Sequence, residues 1–239
     1  MYQNICYITF KNIVIGIEGL VGAGKTSICR ELLKKDEKAI LLNGGNLYRA
    51  IVYCLMQKEP NLLKLRKTMK NIDIKKCMDE LKVEIKIENR ESVIYINGKL
   101  TNEEELQSKA SSLAVSLVGG IADNTKLFEY AREIIDELKQ TNDVIVSGRA
   151  IMQIYPQIDY HLFITASLNE RVKRKCIQYN ENKNINSIKR NIQMRDLLQK
   201  MAGFYKIYPN TIKIDVTQAK SVEESTNQVL KVVKLETKV

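Results

Sequence analysis

"GIEGLVGAGKTSICREL", residues 16–32, decides how the chain folds around it. Within it "GLVGAGKT", residues 19–26, fits G-x-x-x-x-G-K-[ST] in full. The β-branched apolar run at residues 13–17 precedes it as a buried parallel strand, and Ile28, Cys29, Leu32 and Leu33 follow at helical spacing. Strand, glycine loop and helix in that order make a polyphosphate cradle. Gly19, Gly22 and Gly24 let the backbone N–H groups of Gly22, Ala23, Gly24, Lys25, Thr26 and Ser27 converge on phosphate oxygens, and the helix start adds its positive dipole end. Lys25 then reaches the terminal phosphates, and the Thr26 hydroxyl holds Mg²⁺.

Working outward, the strand-and-helix rhythm repeats. Apolar runs at 39–43, 143–148, 160–166 and 211–216 read as further strands, with helices between them, so the fold class is α/β with a parallel sheet flanked by helices. A helix over 47–56 follows the second strand. Another spans 124–140, where Leu127, Phe128, Ala131, Ile134, Ile135 and Leu138 mark one face. Capping-box pairs Thr101 with Glu104, Ser167 with Glu170 and Ser221 with Glu224 set helix starts near 102, 168 and 222. Residues 82–97 break the rhythm: "KVEIKIE" and "SVIYIN" alternate about a turn and read as a small antiparallel hairpin. It marks a subdomain at about 45–122 inserted into a core formed by about 1–44, 123–177 and 204–239.

The totals narrow the class. The 239 residues suit one domain with an insertion, and the composition, 44% hydrophobic and 28% charged, is that of a water-facing globule. No apolar run reaches a membrane span, and the opening residues read as a short leader to the first strand, giving a cytoplasmic expectation with no membrane partner. Five cysteines, odd in number and never spaced C-x-x-C, read as reduced thiols. The net charge of +10 is spread along the chain beside 28 acids, so it points to anionic small molecules and away from nucleic acid. Nothing in the sequence decides between monomer and homodimer.

"LLNGGNLYRA", 41–50, puts Arg49 one turn into the helix that opens the insertion, where a planar fork can clamp a phosphate. These pieces, with "YINGKLTNEEELQSKASSLAVSLV", "VSGRAI", "LFITASLNERVKRK" and "IDVT", occur in the order and spacing of the bacterial cytidylate kinases. The chain resembles that family from about residue 13 to its last helix. The resemblance implies a P-loop nucleoside monophosphate kinase that takes ATP and Mg²⁺ as cofactors and a small phosphorylated acceptor, CMP or dCMP, as partner. It implies Lys25, Arg149, Arg190 and Arg195 as catalytic residues. Arg49, Arg149 and Ser116 would bind the acceptor, the last facing the pyrimidine. The resemblance also implies an arginine-rich helical lid at about 178–203, to which Arg190 and Arg195 would belong, with Lys200 close by. Arg171 and Arg174 follow "TAS" and are read as either stacked on adenine or solvated, Arg171 being assigned to the nucleotide.

Two departures stand out. The family's Asp-Gly-Arg-Asp is here Ser147-Gly148-Arg149-Ala150, losing the acid that organises Mg²⁺ and the acid associated with cytosine. Glu18, just before the loop, is the candidate replacement at the metal with Thr26, and Asp215 or Asp143 come next. His161, the one histidine, reads as a packed strand residue. Two other functions stay open: phosphorylation of another small acceptor such as a deoxynucleoside, and a nucleotide-binding regulator with little transfer activity.

Overall fold

The computed structural model describes residues 12–59, 61, 64, 65, 67, 72–101, 106, 115, 125–180 and 184–233. Its strands are β1 (Val14–Gly19), β2 (Ala39–Asn43), β3 (Val83–Glu88), β4 (Glu91–Ile96), β5 (Lys99–Leu100), β6 (Asp143–Ser147), β7 (Tyr160–Thr165) and β8 (Thr211–Asp215). The described helices are α1 (Lys25–Lys35), α2 (Gly44–Lys58), α3 (Ile74–Leu81), α4 (Thr125–Lys139), α5 (Ile151–Ile154), α6 (Leu168–Gln178), α7 (Ile185–Met201) and α8 (Val222–Leu230). None of them is long and apolar enough to cross a membrane.

The strands form one sheet ordered β3-β4-β2-β6-β1-β7-β8, with β5 on β4. The five from β2 to β8 are parallel, as runs buried on both faces require. One face packs α1 and α8 through Ile28, Leu32 and Val229; the other packs α4 and α5 through Ile135 and Ile151. Ile15, Ile17, Ile145 and Leu162 are wholly enclosed, each worth about 1.5–3 kcal/mol of burial.

β3 and β4 form the expected antiparallel hairpin, and β4 also joins β2 in parallel at Leu41 and Glu91, extending the core sheet. Leu41 N–H donates to the Arg90 carbonyl (2.8 Å) and Asn43 N–H to Ser92 Oγ (2.7 Å). The β3–β4 turn places Asn89 and Arg90 at positive φ, and Arg90 reaches back to the carbonyls of Leu33 (2.9 Å) and Asp36 (2.7 Å) at the end of α1. An ion pair from Arg30 to Glu91 (3.0 Å) adds a second stitch. Behind the hairpin α2 and α3 share a separate core built on Ile51, Ile74 and Cys77.

Helix starts follow the capping patterns at two of three sites. Ser167 accepts from Glu170 N–H (3.3 Å), and Ser221 accepts from Glu224 N–H (3.0 Å). Thr101 donates its hydroxyl to Ile94 (2.5 Å), and the helix start expected at 102 lies outside the described residues. Helix α2 begins earlier than expected: Asn43 caps it by accepting from Asn46 N–H (3.3 Å), so Gly44 and Gly45 form its first turn.

Candidate active site

The parallel strands deliver their carboxyl ends to one cleft of about 1350 Å³, where ligands of open α/β sheets bind. The glycine loop forms its floor. Gly19 has φ 145°, and a Cβ there would lie 2.1 Å from the Ile164 carbonyl oxygen, so no other residue fits between loop and β7. Gly24 caps α1 in left-handed backbone (φ 93°). Gly22, Gly24, Thr26 and Ser27 line the cleft, while Ala23 packs beneath it with its carbonyl accepting from Arg174 (2.9 Å).

Lys25 folds over the loop and donates to the carbonyls of Gly19 (3.0 Å) and Leu20 (2.8 Å). Burial of its ammonium, then the nearby charges of Arg149, Lys175 and Arg195, lowers its pKa well below the usual lysine value. Burial and the guanidinium groups of Arg195 and Arg49 bring Lys175 down to about 8. Burial also disfavours the charge on Arg195, which is 5% exposed and whose Nε has no hydrogen-bond partner among the described residues. Cations crowded against their own solvation energy define a place for a polyanion. The described residues of the wall carry nine basic side chains and one carboxylate, Glu170, already paired with Arg174 (3.0 Å).

Arg49 lines the cleft from the second turn of α2, Nη1 donating to Asn46 Oδ1 (3.3 Å). Arg149 enters from the turn after β6, its Nε donating to Gln199 Oε1 (2.9 Å) on α7 and its guanidinium lying 5.9 Å from the Tyr205 ring. Donor loop, α2, the β6 turn and α7 therefore meet in one continuous space. Ser116 lies outside the described residues.

Two expected residues stand elsewhere. Arg171 is neither stacked nor solvated: it is 7% exposed and donates to the carbonyls of Ala166 (3.0 Å) and Val21 (3.1 Å) and to Asp196 Oδ2 (2.5 Å). It pins the loop to α6 and α7 and is absent from the cleft wall. Arg190 is exposed, because α7 turns Ile188, Ile192, Arg195 and Gln199 inward and Arg190 falls on the outer side at 100° per residue. Asp196 joins Arg171 in tying α7 to the loop, accepting from Val21 N–H (3.2 Å), Tyr205 Oη (2.8 Å) and Arg171.

Glu18 is also displaced from the expected role. It is 3% exposed, accepts the Ile151 N–H (2.5 Å) that the uncapped start of α5 leaves open, and has His161 Nε2 at 3.5 Å. His161 is packed, as read from the sequence, with Nδ1 2.8 Å from Thr211 Oγ1. Asp143 accepts from Ile13 N–H (2.7 Å) at the start of β6, the strand end away from the cleft, and Asp215 holds the Thr217 turn (2.8 Å to its N–H). Ser147 hydrogen-bonds the buried Cys29 thiol, whose pKa burial pushes up to about 12. Among the described residues no three Asp, Glu, His or Cys side chains gather as a metal cage. The donor set that remains, the Thr26 hydroxyl beside a phosphate cradle, suits Mg²⁺, which keeps water and substrate phosphate as most of its ligands.

The family model for cytidylate kinase matches residues 15–235. The chain belongs to the cytidylate kinase family. A cytidylate kinase of Aquifex aeolicus (strain VF5) is 30% identical over 225 residues, covering 92% of this chain and 95% of that protein. One from Bacillus cereus (strain ATCC 10987 / NRS 248) is 25% identical over 233 residues, covering 93% and 96%. Among solved structures, thymidylate kinase from Candida albicans aligns with a TM-score of 0.41 at 16% identity, over 93% of this chain and 91% of that one. Membership of the cytidylate kinase family carries phosphoryl transfer to a nucleoside monophosphate. Two residues were missed by sequence reasoning: Lys175, visible only as the last of three basic residues in "KRKC", and Gln199, which orients Arg149.

Proposed function

We propose that the protein transfers the γ-phosphoryl group of ATP to CMP or dCMP, giving the diphosphate and ADP. The single observation that carries this is the continuous cleft joining the glycine loop to Arg49 and Arg149. A neutral nucleoside acceptor would leave a phosphate clamp of that kind without a use. Lys25 and the loop N–H groups hold the donor phosphates, while Arg49 and Arg149 hold the acceptor phosphate in line with them. Arg195, whose Nε has no hydrogen-bond partner among the described residues, neutralises charge on the phosphoryl group from the lid side. Thr26, with the substrate phosphates, would hold Mg²⁺, which would offset negative charge on the transferring group. Excluding water falls to α7, which Asp196 ties to the loop. Free buried thiols at Cys29, Cys54, Cys77 and Cys176 fit a reducing, cytoplasmic setting.

Assaying the purified protein with ATP and Mg²⁺ against CMP, dCMP, UMP, cytidine and deoxycytidine tests the reading. Turnover on the monophosphates is expected. Turnover confined to the nucleosides, or none on any of the five, would overturn it.

A further inference from the structure

Lys175 is the cation on which the separate parts of the cleft converge. It lies on α6, half-buried in the cleft wall, with its aliphatic stem against the donor loop: a Cβ on Gly22 would stand 3.4 Å from Lys175 Cγ. The two arginines beside it on the helix are spent elsewhere. Arg171 is bound to Ala166, Val21 and Asp196, and Arg174 to Glu170, Ala23 and Val216. Lys175 donates to the neutral Gln178 Oε1 (2.7 Å) and lies 5.1 Å from the Tyr179 ring centroid. Among the described residues, no carboxylate offsets its charge.

Its electrostatic neighbours come from every working part of the site. Its charge acts on Lys25 of the donor loop, and it is acted on by Arg195 of α7 and Arg49 of α2. Lys175 lines the same cleft as Lys25, Arg49 and Arg195, with its stem on the donor loop. We propose that Lys175 is a further catalytic residue, contacting the phosphoryl group while it passes from donor to acceptor. The inference rests on the phosphoryl-transfer reading above. In that step the bond between the γ-phosphorus and the oxygen bridging to the β-phosphate breaks, its electron pair leaving with ADP. A bond forms between that phosphorus and an oxygen of the acceptor monophosphate, and Lys175 keeps its proton throughout.

A cation serving the group in transit strengthens its contact in the transition state and contributes less to either substrate alone. Lys175→Met keeps the stem against Gly22 and removes the charge; Lys175→Arg keeps the charge. The first is expected to lower kcat on the order of 100-fold with ATP affinity within about threefold of wild type. It is also expected to weaken a bisubstrate analogue, two nucleosides joined by a polyphosphate, about tenfold or more, while Lys175→Arg retains at least about a tenth of kcat. A kcat for Lys175→Met within about threefold of wild type would overturn the proposal, as would a defect confined to the KM for ATP. The unsubstituted protein run alongside separates the two claims: its failure to transfer to any monophosphate overturns the reaction itself, and with it the role of Lys175.

Discussion

Ala150 occupies left-handed backbone, φ 54° and ψ 28°, at the cleft end of the β6 turn. An L-alanine there is strained by about 1–2 kcal/mol, and a short polar side chain is tolerated better. The position that the family resemblance gives to an aspartate thus keeps an aspartate's backbone without its carboxylate. Ala150→Asp is expected to raise the kcat/KM ratio of CMP over UMP by about tenfold or more, measured in competing-acceptor assays, because base selection needs a polar group satisfied by one partner alone. An unchanged ratio would show that cytosine is read elsewhere. At this scale the sequence is legible where residue identity encodes a backbone demand. Gly19 and Gly24 could be read because nothing else fits their geometry. Arg171 could not, since its carbonyl partner on Val21 lies 150 residues away in the chain and only the folded loop brings it into reach.

Helix α7 shows how an element acquires its role from contacts at one turn. Asp196 holds the loop through Val21 N–H, the α6 helix through Arg171 and the following segment through Tyr205. Burial, opposed by the charge of Arg149, pushes the Tyr205 phenol well up, so the donor in this network keeps its proton. Asp196→Ala strands the Arg171 guanidinium with an unmet charge and is expected to cost about 3 kcal/mol in urea unfolding. A loss below about 1 kcal/mol would mean that the network carries little of the α7 contact. Strand and helix positions were largely readable from period-two and 3.6-residue patterns, because burial writes those patterns directly. The union of β4 with β2 was not, since a single parallel register point at Leu41 and Glu91 leaves no periodic trace.

Across the whole molecule, positive charge is concentrated in function even though it is dispersed in sequence. Lys25, Arg49, Arg149, Lys175 and Arg195 come from five segments and face one volume. The lowered pKa of Lys175, about 8 against an ordinary value near 10.5, fixes the sign of two pH effects. Between those values the unfolded chain binds more protons than the folded one, so the ligand-free protein gains stability from this group as pH rises from about 8 to 10. Binding of a ligand that spans donor and acceptor phosphates, which needs the charge, weakens over the same range. Thermal unfolding at pH 7.5 and 9.5 should therefore show a smaller shift from a saturating bisubstrate analogue at the higher pH, and an equal or larger shift would contradict the titration of Lys175.

The proposed reaction carries a phosphoryl group from ATP to a pyrimidine nucleoside monophosphate in this cleft. Phosphorus NMR of the purified protein with ATP, Mg²⁺ and CMP reads donor and acceptor at once. The prediction is CDP and ADP appearing in equal amounts, with both lost in Lys25→Met. ADP and inorganic phosphate without CDP, or an unchanged spectrum, would contradict it.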